Sequence, residues 1–401
     1  MKFLIATLLL IVTNLSFAQW TQTSAPATTI TWSLLGSGQT IFAGTQDDGV
    51  LRSTDAGSNW TSTNLDVSRR HTYALGLNGT TVFAGTDSGL YRSTDNGLSW
   101  QSSTALVGKA IESVRLTGSS WFAGTDGSGI YKSTDNGSSW PAASTGLTDN
   151  YVHTIVSDGS TLYAGLSNGI CYSTDTGSTW NLLANGNGLY PNVRAFATAN
   201  GSLFAGGASG IQRSTDGGTT WVAVDSGLTQ TFILGFAVFH STIFACGWGG
   251  IYVSTDTGST WSEINTGLPT SHMAHSLAIV GTDLFAGLDT NGIWKRPIGQ
   301  IVSSVESKPN LANVGNFQLE QNFPNPFNPS TTISFSLAHD ANVTLTIFDI
   351  LGQEIQTLVS GHFAQGSHTI NWDASGLPSG VYIYRIQAGN SVSARKMFLE
   401  K

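Results

Sequence analysis

The chain has 401 residues, of which 10% are charged, with 47 glycines and a formal net charge of −8. No acidic or basic run concentrates that charge, so the footprint of a nucleic-acid or membrane-surface binder is missing. Ser, Thr, Asn and Gly abound and no helical periodicity is sustained, which points to an all-β protein of two or three domains.

Residues 1–18, MKFLIATLLLIVTNLSFA, carry one basic residue, an apolar run, and Ser16 and Ala18 at the −3 and −1 positions. This is the pattern of a secretory signal peptide cut before Gln19. The apolar run is too short to span a bilayer and no other segment approaches the required length. The mature protein is expected to be exported, monomeric and without a transmembrane segment.

From residue 20 a repeat takes over. The pattern Ser-Thr-Asp-x-Gly-x-x-Trp begins at Ser53, Ser93, Ser133, Ser173, Ser214 and Ser254, at intervals of 40 or 41 residues. A constant period of this size signals a repeat architecture. Within each copy the aspartate (Asp55, Asp95, Asp135, Asp175, Asp216, Asp256) can fold its carboxylate onto backbone N–H groups. The glycine can take positive φ, and the Trp supplies an apolar anchor. These aspartates read as structural turns, because catalysis needs one site and a fold needs every copy.

A second motif, Phe-Ala-Gly or a near copy, ends at Gly44, Gly85, Gly124, Gly165, Gly206, Cys246 and Gly287, seven times. The last copy has no Asp motif after it. At the other end of the repeat region, Trp20 matches the Trp that heads the strand after every Asp motif (Trp60, Trp100, Trp140, Trp180, Trp221, Trp261). The N-terminal strand is therefore predicted to complete the last blade of a closed ring, which removes exposed sheet edges. Residues 19–298 read as a seven-bladed β-propeller. Cys171 and Cys246 fall two blades apart, beyond the ~7 Å reach of a disulfide, and read as small buried apolar residues.

These motifs closely resemble the Asp-box (BNR) repeat over about Trp20 to Ile298. The resemblance places each box at the turn between the third and fourth strands of a blade, on the outer rim. It implies fold rather than activity, since sialidases, xyloglucanases, sortilin-type receptors and photosystem assembly factors share it.

Counting twelve residues back from the end of each Phe-Ala-Gly motif gives Trp32, Tyr73, Glu112, His153, Arg194, Leu234 and His275. One residue further on, every blade has a small residue. The varied column is expected to ring the channel mouth opposite the boxes, and Trp32, Tyr73, Glu112, His153, Arg194 and His275 are the candidate ligand-binding residues. Loops add Arg69, Arg70, His71, Tyr151, Tyr190, Trp248 and His272. The competing expectation is that the column only packs neighbouring blades together.

A glycoside hydrolase needs two carboxyl groups about 5–9.5 Å apart. Glu112 is the only one in the column, with Asp47, Asp87, Asp126 or Asp289 as loop partners. Tyr73, Glu112 and Arg194, with Arg115, point toward a sialidase, but its Arg-Ile-Pro motif is absent. No catalytic residue is assigned. His153, His275 and Glu112 come from blades 4, 7 and 3, expected to be too far apart for one metal, and no metal or cofactor motif is present. The expected function is a non-enzymatic binding or scaffold module for an extracellular glycan or protein. The alternative is a secreted glycoside hydrolase of sialidase- or xyloglucanase-like type.

Residues 299–316 read as a linker. Alternating runs from 317 to 401, separated by Gly, Pro and Asn turns, predict a small Ig-like β-sandwich. Its stretches NFPNPFNPSTTI, LGQEI, GLPSGVYIYRI and KMFLEK resemble the C-terminal sorting domain of the type IX secretion system. That resemblance implies export through the periplasm and across the outer membrane, with the secretion machinery as partner.

Overall fold

The computed structural model describes residues 19–63, 65, 71–183, 192–269, 273–306, 317–337, 339–349, 353–389 and 391–400. The proposed signal peptide and the loop candidates Arg69, Arg70, Tyr190 and His272 lie outside the described residues. The chain forms two compact units that divide after Ser304.

The first unit contains seven antiparallel sheets among the described residues. Their inner strands, blades 1 to 7 in order, are Thr31–Ser37, Thr72–Asn78, Ile111–Thr117, Val152–Asp158, Val193–Ala199, Ile233–Phe239 and Ala274–Val280. Each inner strand adjoins the next, and the seventh adjoins the first, so the ring closes as a β-propeller. The closing sheet is made from both ends of the unit: Thr21–Gln22 pairs with Ile293–Pro297, Thr21 opposite Lys295. Trp20 is buried, and its Nε1 donates to the Ile264 carbonyl of blade 6 at 2.6 Å. Blade 3 has no fourth strand, only a bridge between Tyr131 and Ala142. Pro141, with no N–H to give, occupies that edge.

The six Ser-Thr-Asp-x-Gly-x-x-Trp motifs, called boxes below, build their turns from their own side chains. In blade 2, Ser93 Oγ donates to Asp95 Oδ1 at 2.7 Å and accepts from Gly97 N at 2.8 Å. Ser99 N and Oγ donate to the two Asp95 oxygens at 2.9 and 2.6 Å. The side-chain donor at this position leads the depression of the carboxylate pKa, to about 2 for Asp55 and Asp216 and lower for Asp95, Asp135 and Asp175. Each box also locks its blade to the previous one. A Cβ on Gly97, whose φ is +82°, would sit 2.9 Å from Phe42 of blade 1. In blades 2, 4 and 6 the Trp of the box reaches the same way, as Trp180 Nε1 does to Ala143 O at 2.9 Å.

The glycine of Phe-Ala-Gly is a second inter-blade contact. A Cβ on Gly85 would lie 2.9 Å from the Ile111 carbonyl of the next blade. Blade 6 has Cys246 there and makes room in two ways. Its cross-strand partner is Gly235, where other blades carry Ser, Ala or Thr, and Ala274 stands where the others place Thr, Val or Ile. Both cysteines are free and buried.

The reading of 299–316 as a linker does not hold for its first part. Ile298–Glu306 is a helix, with Ile298 and Ile301 buried and the Ile298 N–H on the Thr282 carbonyl at 2.8 Å. Ile298 and Ile301, one turn apart, give it the apolar stripe that the end of the repeat obscured. Residues 307–316 lie outside the described residues.

The second unit is a β-sandwich. One sheet joins Phe317–Leu319, Ser330–Leu337 and Gly366–Asp373; the other joins Glu354–Phe363, Ala341–Phe348, Gly380–Ala388 and Ser391–Leu399. Strict alternation along Ser330–Leu337 points Ile333, Phe335 and Leu337 inward, against Val343, Leu345, Trp372, Tyr384 and Met397.

Candidate functional site

In every blade the register between inner and middle strands slips by one residue at the varied column. Thr31 and Ser33 are paired while Trp32 is skipped, and the same skip falls on Tyr73, Glu112, His153, Arg194, Leu234 and His275. Each column residue is thus the extra residue of a β-bulge. A bulge bends the strand and takes a side chain out of the pleat, which re-aims it. Antiparallel pairing puts this end of the inner strand opposite the box turns, at the mouth.

A second ring sits beside the first, two residues after each Phe-Ala-Gly motif: Gln46, Asp87, Asp126, Ser167, Ala208, Trp248 and Asp289. In six blades its N–H bonds back to the residue two before the bulge, as Ser167 does to Tyr151 O at 3.3 Å and Asp289 to Met273 O at 2.9 Å. This backbone bond leaves the side-chain type free.

The structure divides the column into two groups. On blades 3 to 5, Glu112 Oε2 lies 2.8 Å from His153 Nδ1 and 3.4 Å from Arg194 Nη1. His153 Nε2 lies 2.9 Å from Ser167 Oγ, and Arg194 Nε donates to Asn192 Oδ1 at 2.7 Å. The imidazole is almost wholly buried (4% exposed), whereas Glu112 and Arg194 are 22% and 32% exposed. Glu112 and His153 are therefore in contact, contrary to the wide separation expected of them. His275 belongs to the other group. Arg115, a mid-strand residue with an exposed side chain, makes no ion pair among the described residues.

On blades 7, 1 and 2 the rings cluster. Trp32 has ring-centroid distances of 4.4 Å to His275, 5.6 Å to Tyr73 and 6.0 Å to His71. His71 Nδ1 is 2.8 Å from the Tyr73 hydroxyl. Burial pushes His275 down to about 4, opposed by the Asp289 charge, so its imidazole is neutral at pH 7. Burial also raises the Tyr73 phenol, helped by Asp87, Glu112 and Asp126. Leu234 separates the groups on blade 6, where exposed Trp248 stacks on Phe232 at 5.0 Å. Tyr151 is exposed.

Ser167 and Asn192 were not among the sequence candidates. The repeat alignment that isolated the bulge column would have isolated Ser167 two residues past its glycine. Nothing in residue type marks Asn192, which acts by orienting Arg194. Among the described residues no three His, Cys, Asp or Glu side chains are grouped to hold a metal.

Residues 321–400 match the secretion system C-terminal sorting domain. The C-terminal unit is a type IX secretion sorting domain. Its presence means that the protein is exported through that system to the cell surface or beyond, with the secretion machinery as a partner. No helix among the described residues is long and apolar enough to cross a membrane. Residues 170–294 match the DUF6242 β-propeller domain. No curated protein matches the chain.

Among solved structures, the chain is similar to YCF48 bound to D1 peptide (TM-score 0.56, 17% identity, 71% of this chain and 98% of that one). YCF48 from Cyanidioschyzon merolae gives a TM-score of 0.55 at 17% identity, over 71% and 99%. The GH74 xyloglucanase from Xanthomonas campestris gives 0.56 at 13% identity, over 80% of this chain and 59% of the enzyme. Likeness at these identities shows the fold alone.

Proposed function

We propose that the sorting domain delivers a binding propeller to the cell exterior, and that its mouth holds an extracellular glycan or protein segment without cleaving glycosidic bonds. The division of the mouth carries this reading. Trp32, Tyr73 and His71 offer half-buried ring faces, on which sugar rings or aromatic side chains stack. Next to them, on blades 3 to 5, Glu112, His153 and Arg194 form a cross-braced polar group. Its carboxylate oxygen already serves two cations or donors, a state suited to orienting a ligand rather than to giving up a proton. The fold tolerates such use: a YCF48 propeller is bound to a peptide.

One observation favours the rival reading. After burial, the charges of Asp87, Glu112 and Asp126 all raise the Tyr73 phenol, so three carboxylates act on one ring of the mouth. The two readings separate in one experiment, in which the exported protein is screened on a glycan array and on chromogenic glycosides and sialosides. Binding without turnover supports the proposal. Turnover abolished by Glu112→Gln would establish the hydrolase instead.

A further inference from the structure

The hydrogen-bond chain on the polar side of the mouth has the order of an activated serine. Ser167 Oγ, His153 Nε2, His153 Nδ1 and Glu112 Oε2 follow one another, with contacts of 2.9 and 2.8 Å. Glu112 Oε2, which also faces the Arg194 guanidinium, takes the acceptor role toward Nδ1–H. The Nε2 lone pair then faces the serine hydroxyl, which is the tautomer a general base needs. The imidazole is buried and held from both sides, while Ser167 is only partly buried.

The repeat does not require a serine here. Blades 2, 3 and 7 close the same loop with Asp87, Asp126 and Asp289, blade 1 with Gln46 and blade 6 with Trp248, each through the same backbone bond. An aspartate at 167 would tie His153 down more firmly. Serine instead places a hydroxyl at hydrogen-bond distance from an oriented base.

We propose that Ser167 is a nucleophile that accepts acyl groups from small esters, such as O-acyl substituents on a glycan at the mouth, with His153 as its base and Glu112 as a positioning residue. Ser167 Oγ adds to the ester carbonyl as its proton passes to His153 Nε2. The bond from the carbonyl carbon to the alcohol oxygen breaks, and the departing alcohol takes that proton. Water then adds to the acyl-serine by the same route, releasing the carboxylic acid and restoring the serine. One ester and one water give one acid and one alcohol, with no change in oxidation state.

The test is a fluorophosphonate probe applied to the full chain, with modified residues located by peptide mass mapping. The many exposed serines of the boxes serve as internal controls. Ser167 should label about 100-fold or more faster than those serines, the low end of general-base assistance. His153→Gln should remove most of that advantage, and Glu112→Gln should slow labelling while the adduct stays on Ser167. A folded wild-type chain in which Ser167 labels no faster than the box serines would overturn the proposal and leave the chain of bonds as a tie between blades 3 and 4. Labelling is read on the wild-type chain and glycan binding on the array, so failure here and failure of the binding reading are read separately.

Discussion

The rim and the mouth of this propeller are built from the same repeat under opposite rules. At the rim every copy of the box does the same work: Ser and Asp satisfy the turn, Gly admits the aromatic ring of the previous blade, and Trp anchors the edge. At the mouth the backbone is what repeats. A bulge in each blade and, in six blades, a shared backbone bond hold two rings of positions while the side chains run from Trp to Glu to Arg. Constancy of residue type thus marks the scaffold, and constancy of backbone with varied side chains marks the surface available for a specific task.

Perturbing the rim should change stability and leave the mouth untouched. The largest effect is expected from Gly97→Ala, which adds a Cβ at positive φ and against Phe42. Strain and overpacking together should cost roughly 2–4 kcal/mol, read as a lowered Tm at unchanged ligand affinity.

The mouth and the rim should also lose stability in different pH windows. His275 is held near 4, below its ordinary 6.5, so the unfolded chain binds the proton more readily. Its contribution is present above pH about 6.5 and is lost as pH falls toward 4, amounting to up to about 3 kcal/mol. A denaturant midpoint measured across that range should fall in the wild type, and His275→Gln should flatten the fall.

Between these regions, Cys246 tests how tightly the blades fit. Gly235→Ser alone should overpack against the Cys246 sulfur and cost about 1–3 kcal/mol. Adding Cys246→Gly should recover most of that loss, a coupling seen in a double-mutant cycle of urea melts.

The smallest effect belongs to the box carboxylates. Their depressed pKa values mean that their stabilisation is complete above pH about 4 and fades as pH falls toward 2. They are exposed and screened, so each contributes little. Asp216→Asn should reduce the slope of Tm against pH in that window and not above it.

The ring, its closing strand and the boxes were legible because a repeat states each structural requirement six or seven times. Trp20 could be assigned to the last blade from its match to Trp60 and Trp100 alone. The bulges were invisible, since an extra unpaired residue leaves no mark of residue type, although counting from Phe-Ala-Gly still reached the residues they display. Contacts between blades were the least readable. Glu112 and His153 are 41 residues apart and touch. His275 joins Trp32 only because the ring closes. The helix Ile298–Glu306 escaped notice because nine residues give too few turns for a periodic signal.

The central claim is that binding resides in the bulge column, while the rim serves stability and takes no part in binding. Tyr73→Ala with Arg194→Ala, one change in each group of the mouth, should be measured beside Gly97→Ala for both Tm and affinity toward a glycan identified on the array. The account predicts that the double variant keeps a near wild-type Tm and loses at least tenfold in affinity, while Gly97→Ala does the reverse. A well-folded double variant with unchanged affinity would contradict it, move the site to the surrounding loops, and leave the column as packing.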